Sequence, residues 1–383
     1  MELEIINHWV SYETPLGHIK ENNMKYLMIV ILLLSSVHSQ NRTDGSFKLG
    51  EIAFIVTDLH FGADAVSRER NSGNYDKVSF DIGKLKLGLS EIEATGEVNN
   101  EREQGQSTFK FNGPNFELSN IKIKYSTLAP YLWERILRQN RNDESSSYIE
   151  TQAKNDIIFT LGKVQLLLES EGNFNVNGRN QLIDFNLKRS RFGVSNVGVI
   201  IEYNDDKSKT TELNLSDFKI EIENLFLDLD SQSPTPRVDN AIADFTLKNL
   251  EIKFPNEIKN DPEFKELASF LGIRGGQFRI REVEVRSELE NGRKMLLNIV
   301  ADTQFGKGEI SSSYRIDFNE YGEFEDLFID KSIIELSGFS RGISDLILDW
   351  EKKSGQILPR KGKSIVFELS GSLKDPIIRE PSR

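Results

Sequence analysis

The sequence contains no cysteine and only four histidines among its 383 residues. Without cysteine the chain forms no disulfide, no zinc site with thiolate ligands and no lipid-modified cysteine anchor. Three of the histidines precede residue 40, so a Ser-His-Asp triad in the remaining chain would depend on His60 alone. His60 lies in a run of alternating apolar and polar residues, which predicts a strand position. The sequence therefore predicts a protein that is not an enzyme.

Positive charge is also scarce, since 48 Lys and Arg face 60 Asp and Glu, giving a net charge of −12. No basic patch interleaved with aromatic residues is present, which argues against a nucleic-acid partner. Asp228 and Asp230 are two positions apart, as are Glu282 and Glu284, so each pair would lie on one face of a strand. Paired carboxylates can act as acid and base, which makes a carboxylate-based glycan hydrolase a further alternative function. Such pairs arise freely in so acidic a chain. No motif indicates a metal site or a cofactor.

Long hydrophobic runs are lacking as well, and the longest lies near the N-terminus. Lys25 precedes the apolar run of residues 26–34, and Val37 and Ser39 form a small-residue cleavage site. We interpret residues 24–39 as a signal peptide and residues 1–23 as a mis-called start. An apolar run of this length is short for a membrane span, which needs about 20 residues. We expect export, to the periplasm of a Gram-negative bacterium, with secretion or an uncleaved inner-membrane anchor as alternatives.

An eight-residue segment recurs seven times in the rest of the chain. It consists of Phe or Ile, any residue, Leu or Ile, two mostly polar residues, and then two apolar residues separated by one position. The copies are FKLGEIAF from Phe47, FDIGKLKL from Phe80, FELSNIKI from Phe116, FTLGKVQL from Phe159, IEIENLFL from Ile220, FTLKNLEI from Phe245 and FRIREVEV from Phe278. The alternation predicts one kind of strand used repeatedly in an antiparallel sheet.

The two apolar pairs of each copy have opposite parity, so a regular strand would place them on opposite faces. Either both faces are buried, or a β-bulge at the central polar positions returns both pairs to one face. We favour a bulge in each copy. The predicted fold is all-β, an elongated, curled antiparallel sheet, groove-like or sandwich-like, in one repeated-strand domain over residues 40–383.

Three short helices are predicted to cap this sheet, near residues 127–139, 262–271 and 341–353. The second begins with Asp261 and Pro262 and ends at Gly272. Asn291-Gly292 predicts a hairpin between residues 278–289 and 295–305. Polar segments at residues 139–150 and 231–240 are predicted as exposed connectors.

The apolar residues of the first half of each copy are the candidate lining of an apolar groove. An ordinary packed core is the alternative for each of them. The candidates are Phe47, Leu49, Phe80, Ile82, Phe116, Leu118, Phe159, Leu161, Phe245, Leu247, Phe278 and Ile280.

The recurring Phe-x-Leu-x-Asn-Leu-x-Ile segment, with the closing run from Phe367 to Pro376, resembles the AsmA/TamB-like proteins of bacterial envelopes. The resemblance extends over about half of the chain after residue 39. It implies a β-rich, groove-shaped periplasmic protein linked to phospholipid transport or outer-membrane homeostasis, and it brings no catalytic residues.

The function expected from the sequence is therefore non-enzymatic binding or transport of a phospholipid or other apolar ligand in the cell envelope. The alternative is a structural or protein-binding envelope protein, whose sheet is fully packed and whose partners bind its edges or its acidic face. The sequence leaves the oligomeric state open.

Overall fold

The computed structural model describes residues 42–66, 75–99, 104–129, 153–177, 180–203, 206–230, 237–273, 275–318 and 324–379. The predicted leader, the connector at residues 139–150 and most of the helix predicted near residues 127–139 lie outside these ranges. Residues 127–129 end a strand. No helix in the described ranges has the length and apolar character needed to span a membrane.

In the described ranges, eighteen strands form one open antiparallel sheet, which confirms the predicted fold class. The first nine strands are β1 (Arg42–Leu49), β2 (Ile52–Val66), β3 (Tyr75–Leu89), β4 (Glu91–Asn99), β5 (Gln104–Asn112), β6 (Asn115–Ala129), β7 (Ala153–Asn177), β8 (Asn180–Tyr203) and β9 (Asp206–Asp230). The other nine are β10 (Arg237–Val238), β11 (Ala241–Lys253), β12 (Gln277–Glu290), β13 (Lys294–Thr303), β14 (Gly306–Phe318), β15 (Phe324–Ser337), β16 (Arg360–Lys361), β17 (Ser364–Ser372) and β18 (Ile377–Arg379).

The main order of neighbours is β2-β3-β6-β7-β8-β9-β11-β12-β13-β14-β15-β17. Strands β7, β8 and β9 have 24 or 25 residues each. The first half of β7 pairs with β6 and its second half pairs with β5, so β5 and β6 follow one another along it. Strands β4 and β1 extend the sheet from β5 in the same way.

Among the described residues, three helices accompany the sheet: α1 (Asn256–Asn260), α2 (Pro262–Leu271) and α3 (Arg341–Ser354). The side chain of Asp261 accepts hydrogen bonds from the first turn of α2, and Gly272 ends that helix in the left-handed conformation, as predicted. Ser340 caps α3, which ends at Gly355. The short helix α1 was not predicted from the sequence.

The hairpin at Asn291-Gly292 joins β12 to β13 and confirms the prediction from that dipeptide. Of the predicted connector at residues 231–240, the structure describes residues 237–240. Arg237 and Val238 form β10, which pairs with Asp228 and Leu227 of β9. Since part of this segment continues the ladder, it does not separate two lobes of the sheet.

Candidate functional site: apolar rows across eight strands

The central positions of the repeated segments lie side by side across the sheet, where the cross-strand pairing is interrupted. In β3 and β6, for example, Ile82 pairs with Ile121 and Lys84 pairs with Ser119, which leaves Gly83 opposite Asn120. We call this line of residues the first break line. It consists of Asp58, Gly83, Asn120, Gly162, Asn196, Ser216, Asn249 and Arg281.

The conformation of the first break line alternates from strand to strand. Asp58, Asn120, Asn196 and Asn249 have φ between 52° and 55°, the left-handed region that Asn and Asp tolerate best among residues with a side chain. The strands between them contribute Gly83, Gly162 and Ser216. The break therefore repeats every second strand, with a small residue between.

The glycines of this line make room for the left-handed asparagines. A Cβ added at Gly83 would lie 2.8 Å from the Cβ of Asn120, and one added at Gly162 would lie 2.7 Å from the Cβ of Asn196. Contacts this short do not occur between real Cβ atoms. The first break line thus passes through the mostly polar fourth or fifth position of each segment that it crosses. There, a Gly or Ser on one strand packs beside an Asn or Asp on the next.

The predicted bulge in each copy is wrong. From β2 through to β12 the register continues unchanged across the first break line, with one residue opposite one residue. Only the last copy has a register shift, between Ile280 and Glu282 where β12 pairs with β13. A single left-handed residue changes the alternation of a strand without inserting an extra residue, which explains why the apolar parity changes there.

Two apolar rows lie on each side of the first break line, each with one residue from each of the eight strands β2, β3, β6, β7, β8, β9, β11 and β12. On one side, row A consists of Phe54, Leu87, Phe116, Leu166, Phe192, Ile220, Phe245 and Val285. Row B consists of Val56, Leu85, Leu118, Val164, Val194, Phe218, Leu247 and Val283.

On the other side, row C consists of Leu59, Ile82, Ile121, Leu161, Val197, Leu215, Leu250 and Ile280. Row D consists of Phe61, Phe80, Ile123, Phe159, Val199, Leu213, Ile252 and Phe278. All the members of the four rows are aliphatic or Phe. Directly paired residues of an antiparallel ladder share a face, so each row is a continuous apolar stripe.

Ten of the twelve candidate residues lie in these rows. Phe116, Leu118, Phe245 and Leu247 belong to rows A and B, while the candidates on β3, β7 and β12 belong to rows C and D. Phe47 and Leu49 lie elsewhere, on β1, where they pair with Ala94 and Ile92. They are separated from rows A–D by a second break line, which includes Gly113 (φ 137°) and Asn224 (φ 54°).

Sequence reasoning missed three copies of the segment, on β2, β8 and β9. They are FIVTDLHF from Phe54, FGVSNVGV from Phe192 and LNLSDFKI from Leu213. Each departs from the pattern at one apolar position only, the third in the first two and the first in LNLSDFKI. A search for the polar Asn or Asp followed by an apolar residue, with any aliphatic residue at the third position, would have found them.

Burial differs between the rows. Ile82, Ile121 and Leu161 of row C are only 6–9% exposed, whereas Phe54 of row A is 59% exposed. Leu87, Phe192 and Ile220 of row A are exposed too. On the edge strand β2, rows C and D are more open, since Leu59 of row C is 46% exposed and Phe61 of row D is 50% exposed. On β3, β6 and β7, row C is deeply buried.

The positions between the apolar rows carry ion pairs. Lys84 and Lys163, from the strands on either side, contact Glu117 at 3.3 and 3.4 Å. Burial alone would raise the pKa of Glu117, but the hydrogen bond from Lys84 and the charge of Lys163 lower it. Glu221 is buried and contacts Arg189, Arg191 and Lys219. Its burial acts to raise the pKa, yet these three donors lower it to about 2.

Of the residues considered for catalysis, Glu282, Glu284 and His60 are engaged in similar pairs, whereas the buried Oδ1 of Asp228 has no hydrogen-bond partner among the described residues. Glu282 and Glu284 both contact Lys248, at 2.7 and 3.0 Å. The exposed His60 hydrogen-bonds Asp81 on the neighbouring strand. In the described ranges, no group of three or more His, Asp or Glu side chains is arranged to hold a metal ion.

Comparison of the chain with known protein families, with curated proteins and with solved structures finds no match.

Proposed function

We propose that the protein binds the acyl chain of a lipid, or another elongated apolar ligand, along rows A–D. The single observation that supports this most strongly is the four uninterrupted apolar rows, which pass across eight strands and include exposed Phe and Leu side chains. A sheet that leaves such stripes accessible to water is unfavourable unless something covers them, because soluble proteins rarely expose large contiguous apolar patches.

The left-handed residues of the first break line support a concave arrangement. They change the strand alternation, so that rows C and D can share a face with rows A and B. The ion-paired positions then lie together on the other face. On this proposal row C is the floor of the groove, in keeping with the low exposure of Ile82, Ile121 and Leu161.

The cellular setting is part of the same proposal. The apolar run near the N-terminus supports export, and the resemblance to AsmA/TamB-like proteins supports a role in phospholipid transport or outer-membrane homeostasis in a Gram-negative envelope. No catalytic step is assigned: Glu282 and Glu284 are ion-paired with Lys248, and His60 hydrogen-bonds Asp81.

The absence of cysteine makes a direct test possible, because a single introduced cysteine can be labelled without side reactions. A nitroxide would be attached to the full chain in Phe192→Cys, on row A, or in the matched control Gly193→Cys. The control position is the next residue, of opposite parity, where an added Cβ has no neighbour closer than 3.9 Å.

On addition of dihexanoyl-phosphatidylcholine or dodecanoate, we expect the label at position 192 to lose contact with a water-soluble relaxation agent. The label at position 193 should keep it. Native mass spectrometry of the unlabelled chain should show the bound ligand. Equal responses at both positions, or a chain that takes up neither amphiphile, would contradict an apolar groove.

A second candidate is supported by the open edge of the sheet. Among the described residues β2 pairs only with β3, and its Phe54 and Phe61 are 59% and 50% exposed. An unpaired edge offers backbone donors and acceptors to a strand of another protein. A structural or protein-binding role is therefore the alternative if no apolar ligand binds.

A further inference from the structure

A cleft lies where helices α2 and α3 meet the ends of β12 and β13, with a volume of about 620 Å³. Its lining includes Arg279, Arg281, Gln304, Ser340 and Arg341. Within the part of the chain that the structure describes, these three arginines are the only charged residues that line it. In a chain with a net charge of −12, a concave site whose charged side chains are all cationic indicates an anionic ligand.

The guanidinium groups keep donors available for such a ligand. Arg281 contacts Asp302 through Nη1, and Arg279 contacts Glu251 through Nη2. Each guanidinium has five N–H donors, so these contacts leave most of them unused. Asp302 is also shared with Lys307 at 3.2 Å, so its single negative charge faces two cations. The side chain of Arg341 is 93% exposed at the mouth of the cleft, and its Nε lies 3.9 Å from Oδ2 of Asp345, one turn further along α3.

Gln304 provides an independent indication of a missing acceptor. Its Oε1 accepts a hydrogen bond from the backbone N–H of Arg279 at 2.8 Å, and its own backbone N–H donates to the carbonyl of Arg279. This fixes the amide group between the two strands. Its Nε2 is buried and has no hydrogen-bond acceptor among the described residues. A buried donor without an acceptor is unfavourable, and an anion in the cleft would satisfy it.

We propose that this cleft binds an oxyanion of the phosphate class. The planar guanidinium groups of Arg279 and Arg281 match the oxygen spacing of such a group. Gln304 donates a hydrogen bond from the buried side, and Arg341 adds a positive charge at the mouth of the cleft. Ser340 and Arg341 begin helix α3, whose N-terminus has the polarity that favours an anion. The cleft lies beside Phe278 and Ile280, the last members of rows D and C.

Two sources of the oxyanion fit this chemistry: free phosphate, and the headgroup of an anionic lipid. The site does not depend on the proposed apolar groove, because its donors and its cavity are separate from rows A–D. Isothermal titration of the full chain with inorganic phosphate, dihexanoyl-phosphatidic acid and dihexanoyl-phosphatidylcholine separates the sources. Uptake of inorganic phosphate alone identifies the free anion, and tighter binding of phosphatidic acid than of either other probe identifies the headgroup.

The variants Arg281→Gln and Arg341→Gln should each weaken binding at least tenfold. Arg286→Gln is the matched control, since Arg286 is similarly exposed on β12 but pairs with Asp244 outside the cleft. It should bind as the unchanged chain does. If Arg281→Gln unfolds, Arg341→Gln still tests the proposal, because Arg341 is exposed and its substitution should leave the fold intact. The absence of saturable binding by phosphate and phosphatidic acid, or unchanged binding in Arg341→Gln, would overturn the proposal.

Discussion

The strands at the two ends of the sheet differ in what they do at the first break line. Strands β2, β3, β6, β7, β8, β9 and β11 pass through the first break line and continue for several residues beyond it, whereas β13, β14 and β15 have their ends there. Thr303 of β13 pairs with Ile280 of row C, and the chain turns back at once to begin β14 at Gly306. Strand β15 ends at Ser337, and Gly338 follows in the left-handed conformation.

Whether a strand continues or ends depends on the residue that it has at the first break line. Where an Asn or Asp accepts the left-handed conformation beside a Gly or Ser, the strand continues with changed alternation. Where the chain instead has a turn at Gln304-Phe305 or at Gly338, the strand ends, and helices α2 and α3 occupy the space beyond it. One half of the molecule thus extends its apolar surface with strands, while the other half closes it with helices.

Gly342 offers the strongest test of the helix-closed half. A Cβ at this buried position of α3 would overlap the carbonyl oxygen of Phe270 in α2. In an exposed helix Ala is about 1 kcal/mol better than Gly, but here we expect Gly342→Ala to lower the free energy of unfolding by about 3 kcal/mol, because the backbones cannot separate without losing their contact. Urea denaturation measures the loss.

The control for this substitution is Lys352→Ala, at an exposed position of the same helix, which should change stability by less than about 0.5 kcal/mol. Hydrogen exchange should rise in α2 and α3 of Gly342→Ala and stay unchanged in β7 and β8. Protection lost equally in both halves would mean that they unfold as one unit.

Gly162 gives the corresponding test of the strand-extended half. We expect Gly162→Ala to destabilise the protein by about 2 kcal/mol, since its Cβ would lie 2.7 Å from the Cβ of Asn196 and 3.1 Å from the carbonyl oxygen of Ser195. Gly193→Ala on β8 is the matched control, because its nearest neighbour would be 3.9 Å away. The control should be neutral or slightly more stable. Equal urea midpoints for the two variants would show that the break line does not require a small residue.

The sequence predicted much of this architecture because the physical signals are local. Alternating apolar residues predicted the strands, Asn291-Gly292 predicted its hairpin, and the Asp261, Pro262 and Gly272 signals predicted both ends of α2. The parity change within each segment was also visible in the sequence. Its cause was not, because a β-bulge and a left-handed residue produce the same change of parity along one strand.

The rest depends on partners that are distant in the chain. Asn196 becomes informative only when Gly162 is known to lie opposite it, and that register is fixed by the whole ladder between β7 and β8. The arginine-lined cleft was not predicted either. Arg281 and Gln304 come from neighbouring strands and Arg341 from a helix, so no local pattern joins them. Six of the seven predicted copies lie within single strands, whereas the copy from Phe47 spans the end of β1 and the start of β2. The copies from Phe47 and Ile220 cross the second break line instead of the first.

The smallest expected effect concerns Glu221, a buried carboxylate of the strand-extended half. Its pKa of about 2 lies below the ordinary value of 4.5 because Lys219, Arg191 and Arg189 donate to it against the cost of burial. A lowered folded-state pKa stabilises the protein above pH 4.5, and that stabilisation is lost as the pH falls towards 2. We expect Glu221→Gln to cost about 1–2 kcal/mol at pH 7, with the difference from the unchanged chain disappearing near pH 2.

Glu223→Gln is the control for this pH dependence, because Glu223 is one-third exposed and contacts Arg189 at 3.4 Å. It should change stability by less than about 0.5 kcal/mol at any pH. Hydrogen exchange at pH 7 should rise in β8 and β9 of Glu221→Gln, while β14 and β15 keep their protection. A cost of Glu221→Gln that is the same at pH 7 and near pH 2 would mean that the three cations do not stabilise an ionised carboxylate. The polar face of the long strands would then be stabilised by packing and not by charge.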